Sequence, residues 1–196
     1  MPQRNVREDL CGAADRVFLE KGFHAASVND LVEDAGVPKG SFYNHFESKE
    51  ALALEAAKRY VESYEVGALR TAGKPPLERL RVHFAKVIDR TVLRGIEKGC
   101  LLGTFASDFA QSNAPVRKFV ATALSGWGAA VADCLAEAQD AGELPEHLDT
   151  AVLGAYLVDS YEGAVLHAKV SHSRAPLDAF MSTTFGLVLP APKRRR

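Results

Sequence analysis

Residues 23–49 read FHAASVNDLVEDAGVPKGSFYNHFESK, from Phe23 to Lys49. Ser27 is placed to cap a short helix over residues 28–35, because a serine oxygen at that position accepts from an otherwise unpaired backbone N–H. Gly36 ends this helix. Pro38, which has no N–H to leave unpaired, suits the opening of the next, over residues 39–45. Two short helices joined through a glycine read as a helix-turn-helix. In that motif the second helix lies in the major groove, with its N-terminal residues at the base edges. Here it carries Lys39, Ser41, Tyr43, Asn44 and His45, all able to donate hydrogen bonds. Phe42 and Phe46, at i and i+4, share the other face and point to the core.

Helical spacing continues outward in both directions. Val6, Leu10, Ala13, Ala14, Val17 and Phe18 form the stripe of a first helix that stops at Gly22. Ser48 caps a long fourth helix over residues 49–71, and Gly73, Lys74, Pro75 and Pro76 break the chain after it. A fifth helix over residues 77–96 follows on Leu77, Leu80, Phe84, Val87 and Ile88. Gly95 and Gly99 flank a turn before residues 100–109. Asn113 and Pro115 open a long helix through residue 141, closed by Gly142. Asp149 caps residues 150–170, and Pro176 opens a last helix through residue 187. The expected architecture is all-α: an N-terminal three-helix helix-turn-helix domain (residues 1–48), a larger C-terminal helical domain (residues 49–189) and a basic tail (residues 190–196).

The 196 residues carry a net charge of −1, so any affinity for nucleic acid must come from a local cluster of cations. Residues 1–49 hold six cations against eight acids, a balance of −2, yet residues 38–46 contain no acid. Arg4, Arg7, Lys39 and Lys49 are read as the electrostatic footprint, since screening limits reach to roughly 8 Å at physiological salt. Hydrophobic residues make up 47% of the chain, which argues against disorder. The three cysteines, Cys11, Cys100 and Cys134, form neither a disulfide framework nor a zinc signature. No metal or cofactor is expected. The polar residues 1–7 lack the apolar core of a signal peptide, and no stretch is read as long enough to span a membrane. The expectation is a cytoplasmic protein with no membrane partner.

The segment resembles the tetracycline-repressor-like (TetR) family of bacterial regulators. The resemblance rests on Ser27, Val28, Leu31, Ala35, Gly36, Val37, Lys39, Gly40, Ser41, Phe42, Tyr43, His45, Phe46, Lys49 and Leu52. It implies three DNA-binding helices, a connecting helix, and a helical domain for effector binding and dimerisation. By position, Lys39, Gly40, Tyr43 and Asn44 face the bases or groove, and Ser27, Ser41, Tyr43, His45 and Lys49 contact phosphate. At Gly40 the absence of a side chain lets the backbone approach DNA. The implied partners are double-stranded operator DNA, a small-molecule effector and a second copy of the chain.

In the larger domain, Gly99-Cys100-Leu101 resembles the NemR-like branch of that family, whose members sense electrophiles or oxidants through the cysteine of this segment. Residues 166–173 are similar again. The resemblance makes Cys100 a candidate sensor and Lys169 its partner. A helix N-terminus and nearby Lys98 would favour the thiolate; the alternative is a buried, inert cysteine. A reversible apolar pocket is the second route to an effector, with Phe84, Phe105, Phe109, Trp127, Tyr156 and Tyr161 as candidate walls and Asp159 and Glu162 as polar anchors. The helix over residues 150–170 is apolar over most of its circumference and must be covered on several sides; the family pairs such helices between two copies. An enzyme using Cys100 with His83 or His167 as base is the rival reading. No nucleophile elbow, phosphate loop or metal-ligand motif supports it.

Overall fold

The computed structural model describes residues 5–71 and 73–189. Arg4 and the basic tail therefore lie outside the described residues. Among those described, every regular element is helical. The chain forms two compact units, Met1–Ser63 with Cys100–Thr122, and Tyr64–Gly99 with Ala123–Arg196.

In the first unit, α1 (Val6–Ala25) starts where the Asn5 side chain accepts from the Glu8 N–H. Glu8 and Asp9 stand in its first turn, where the positive end of the helix dipole favours them. Gly22 breaks the helical geometry at φ 74°, a left-handed value that glycine adopts freely, and one further turn closes at Ala25. The α2 helix (Val28–Ala35) opens with a reciprocal capping box: Ser27 Oγ accepts from the Asp30 N–H, and Asp30 accepts from the Ser27 N–H. Gly36, at φ 65°, ends it.

Helix α3 covers Lys39–Tyr43, two residues short of the expected span. Asn44 and His45 instead form a turn in which the His45 and Phe46 N–H groups both bond to the Phe42 carbonyl. The chain must straighten there because Ser48 is already the cap of α4 (Lys49–Glu62), accepting from the Ala51 N–H at 3.1 Å. Helix α6 (Leu101–Asp108) also belongs to this unit and packs on α1 and α4. The unit's core is Leu10, Phe18, Leu31, Phe42, Leu52 and Phe105, all fully buried. Burying each such side chain is worth roughly 1.5–3 kcal/mol.

The second unit begins where the fourth helix was expected to continue. That helix ends at Glu62 rather than residue 71. Glu65 takes a left-handed φ of 49°, and a 3-10 turn over Val66–Arg70 follows. Two cations on α5 (Pro76–Arg94) hold Glu65 there, Arg90 at 2.7 Å and Lys86 at 3.5 Å. Gly67 is the one local residue there that disfavours a helix, and the ion pairs to α5 come from residues more than twenty positions away.

The rest of this unit is the later part of α7 (Ala114–Asp140), then α8 (Thr150–Ser171) and α9 (Ala175–Thr183), which continues into a π turn over Thr184–Val188. Asp149 caps α8 through the Val152 N–H. Its core is a cluster of rings: Tyr64 against Trp127 at 4.8 Å, Trp127 against Tyr161 at 5.4 Å, and Phe84 against Phe180 at 5.0 Å. Gly128 and Gly154 sit where α7 and α8 cross so closely that a Cβ on Gly154 would lie 2.4 Å from the Gly128 carbonyl oxygen.

The expectation that no stretch reaches membrane-spanning length needs correction, since α7 is long and apolar enough by length and composition. Val116, Val120, Trp127, Val131 and Leu135 are buried along it.

Candidate nucleic-acid interface and sensor residues

Phe42 is fully buried and Phe46 nearly so, and these two rings clamp α3 to its unit. The opposite side then faces outward. Lys39, Gly40, Tyr43, Asn44 and His45 are exposed, Tyr43 at 61%, and Ser41 is half-buried. The Tyr43 ring touches Phe42 edge-on at 5.2 Å yet leaves most of its surface open on a five-residue helix. Nothing within 4 Å of Gly40 would meet a Cβ, so a glycine is not needed there for folding.

Three of the acids around the motif are paired internally. Arg16 pairs with Asp34 at 2.5 Å, Lys21 with Asp30 at 2.6 Å and Arg59 with Glu8 at 2.7 Å. Lys21, together with Ser27, holds the Asp30 carboxyl far below the usual carboxylate range. Two members of the expected footprint are engaged as well. Arg7 bonds Glu55 at 2.9 Å and lies over the Phe46 ring. Lys49 points inward: its Nζ donates to the carbonyls of Phe23 at 2.8 Å and Ala26 at 2.6 Å, and sits 4.1 Å from the centre of the Phe23 ring. Burial lowers its pKa. Lys39 is exposed and belongs to no ion pair among the described residues. Ser27 is exposed, but its hydroxyl already bonds Asp30 at 2.7 Å.

One contact was not legible in the sequence. The Asp108 carboxylate, at the end of α6, accepts from the Phe23 N–H at 2.7 Å, and the Asp108 carbonyl lies 2.8 Å from His24 Nε2. A Cβ on Gly22 would come within 3.2 Å of that carboxylate. The turn between α1 and α2 is thus tied to α6 by residues 84 and 85 positions apart. Gly22 was the one visible sign, and it was readable only as a helix stop.

The candidate effector residues fall in different places. Cys100 is the N-cap residue of α6 and is 4% exposed. Lys169 is half-buried, and its side chain lies over Gly99, where a Cβ would meet its Cδ at 3.0 Å. Phe105 and Phe109 are fully buried in the first unit, packed edge-on to each other at 5.3 Å, with Phe105 against Phe18 and Phe109 against Phe23. They back α1 from behind.

Trp127 lies in the core of the second unit, where its indole N–H donates to His83 Nε2 at 2.8 Å. Burial, then the charges of Arg90 and Lys86, push the His83 pKa down to about 4, with Glu65 opposing. Tyr156 and Asp159 are both exposed on α8. Tyr156 borders a groove of about 370 Å³ between α8 and α9, and Asp159 one of about 550 Å³ between α7 and α8. Cys11 and Cys134 are buried, and burial raises both pKa values, that of Cys134 to about 11. No group of three or more His, Cys, Asp or Glu side chains able to hold a metal occurs among the described residues.

Comparison with known proteins bears on this arrangement. Residues 10–56 match the family described as bacterial regulatory proteins, tetR family. Residues 76–184, over half the chain, match the tetracyclin repressor-like C-terminal domain. The chain is 34% identical to the HTH-type transcriptional repressor DhaR of Mycobacterium sp. strain GP1, over 97% of this chain and 96% of that one. It is 32% identical to the transcriptional regulator AcuR of Cereibacter sphaeroides, over 92% and 84%. The crystal structure of a regulatory protein TetR from Rhodobacter sphaeroides superposes with a TM-score of 0.85 at 29% identity, covering 92% of this chain and 97% of that one. The reduced form of Escherichia coli NemR has the same fold, with a TM-score of 0.85 at 23% identity over 96% and 99%. The chain belongs to the TetR family, as a bacterial transcriptional repressor that joins a DNA-binding helix-turn-helix to a ligand-binding helical domain.

Proposed function

We propose that the protein is a cytoplasmic homodimeric repressor that holds operator DNA through α3 and lets go when the helical domain is occupied or modified. The observation that carries this reading is the acid-free run of Lys39, Gly40, Tyr43, Asn44 and His45, turned outward by the buried Phe42 and Phe46. Lys39, Gly40, Tyr43 and Asn44 would face the bases, with Ser41, His45 and Ser27 near phosphate. Residues 1–48 do the reading and residues 49–189 the sensing.

A two-fold dimer presents two such helices to a palindromic site. Val152, Tyr156, Leu166 and Val170 leave an apolar stripe exposed on α8, which supports α8 and α9 as the surface covered by the second copy. An effector acts by binding the releasing conformation better than the gripping one.

Two routes to release are distinguishable. In the first, Cys100, beside the glycine under Lys169, is modified by an electrophile or oxidant. In the second, Cys100 is inert and the ligand is reversible. The 4% exposure of Cys100 favours the second, because a buried thiol is reached only after local opening. Operator binding by fluorescence anisotropy tests the whole reading, on DNA flanking the protein's own gene. Lys39→Ala and Tyr43→Ala are each expected to weaken binding at least roughly tenfold, the scale of a lost base contact. Unchanged binding would remove α3 from the groove. Release of wild type but not of Cys100→Ser by a quinone would restore the covalent route. Equal behaviour of the two proteins would leave the reversible one.

A further inference from the structure

The second unit contains a cavity of about 340 Å³ between the 3-10 turn at Val66–Arg70 and α5. That is at the small end of the range for ligand pockets, roughly 300–1,000 Å³. Tyr64, Ala68 and Val82 give it apolar walls, and His83 and Arg79 stand on the α5 side.

The polarity of this lining is one-sided. An indole N–H is a donor only. Trp127 therefore makes His83 Nε2 an acceptor, and the ring's single proton is on Nδ1. That Nδ1–H has no hydrogen-bond partner among the described residues, although His83 is only 4% exposed. Arg79 gives Nη1 to the Leu69 carbonyl and Nη2 to Glu137, and its Nε is likewise without an acceptor among the described residues. The acid that lines the cavity, Glu65, is already taken by Arg90 and Lys86. A buried donor left unmade, as the Arg79 Nε–H is, costs free energy. The lining thus offers the Arg79 Nε–H and the His83 Nδ1–H as donors, beside Lys74 and Lys86, while its one carboxylate is engaged.

We infer that this cavity binds a small apolar molecule carrying an acceptor oxygen, a carbonyl or a carboxylate, which takes the His83 Nδ1–H. A cationic or purely hydrocarbon ligand would leave the donors unmet. That the occupant is also the effector rests on the proposed repressor reading; that the site binds does not.

Trp127 is the single tryptophan of the chain and is bonded to His83, so its emission reports on the site. The full chain is titrated with cyclohexanone and with cyclohexanecarboxylate, and with methylcyclohexane as the matched compound lacking oxygen. The expected result is a saturable change in Trp127 emission with at least one oxygen-bearing probe and at least tenfold weaker response to methylcyclohexane. Ala68→Phe and Val82→Phe, which fill the cavity from positions exposed to solvent, should each weaken the response at least tenfold while circular dichroism stays helical. The inference is overturned if neither oxygen-bearing probe gives a saturable change, if methylcyclohexane does as well, or if both filled variants respond like wild type. The same probes are then added to the operator complex. Binding without release would keep the site and remove its role as effector site; absence of any operator complex would sink the repressor reading and leave the fluorescence result standing.

Discussion

Lys49 shows how a residue type can be right and its work unexpected. Its place after the motif reads as a phosphate contact, but the structure spends two of its three N–H groups on the carbonyls of Phe23 and Ala26. Those carbonyls belong to the turn that sets α2, so Lys49 positions the reading helices from behind. Lys49→Met keeps the stem and removes the bonds. A loss of about 1–3 kcal/mol is expected, read as a lower urea midpoint. The slope of log affinity against log salt should stay the same; a slope smaller by about 1 per protomer would return Lys49 to the phosphate. His83 makes a second residue-scale prediction. Its pKa of about 4 in the fold compares with about 6.5 in an unfolded chain. Between those values the unfolded chain binds the extra proton, so stability present above pH 6.5 is lost as the pH falls towards 4. The ceiling on this loss is about 3 kcal/mol, and urea midpoints at pH 7 and pH 5 should separate less in His83→Gln than in wild type. Residues whose work is local were legible in the sequence: the Ser27 cap, the Gly36 stop, the Phe42 and Phe46 anchors. Lys49, Asp108 and His83 take their roles from partners tens of positions away, and no spacing rule reaches that far.

At the scale of elements, helix starts were read well because caps are local chemistry. Ser48 and Asp149 cap as expected, each accepting from a backbone N–H three residues on. Ends were read less well. The fourth helix was expected to run to residue 71, yet it ends at Glu62, and Glu65, paired with Arg90 and Lys86 from α5, takes a left-handed conformation three residues on. The crossing of α7 and α8 makes a clean test of element packing. Gly154→Ala drives a methyl group to 2.4 Å from the Gly128 oxygen and 2.8 Å from Ala132. Overpacking of this kind costs about 1–3 kcal/mol. Gly126→Ala, on an exposed face of α7 with nothing within 4 Å, should instead raise stability by roughly 0.5–1 kcal/mol. Thermal melts of the two variants should therefore move in opposite directions; parallel shifts would mean that α7 and α8 do not pack through Gly154 and Gly128.

For the whole molecule, the exposed stripe on α8 has the clearest consequence. Leu166 is 65% and Val170 is 70% exposed, and large apolar side chains exposed together on one helix call for a partner. Leu166→Glu should shift sedimentation from dimer to monomer and weaken operator binding at least roughly tenfold, since a single head loses the gain of simultaneous engagement. A variant that stays dimeric would move the interface elsewhere.

The α6 helix has a consequence for grafting. Phe105 and Phe109 back Phe18 and Phe23, and Asp108 ties the turn that follows them, yet α6 (Leu101–Asp108) lies far along the chain from α3 (Lys39–Tyr43). A chimera that transplants residues 1–48 onto another regulator would leave its back open and its turn untied. The transplantable head of this protein is discontinuous: the first four helices, together with a short one that the chain makes only after it has begun the sensing domain.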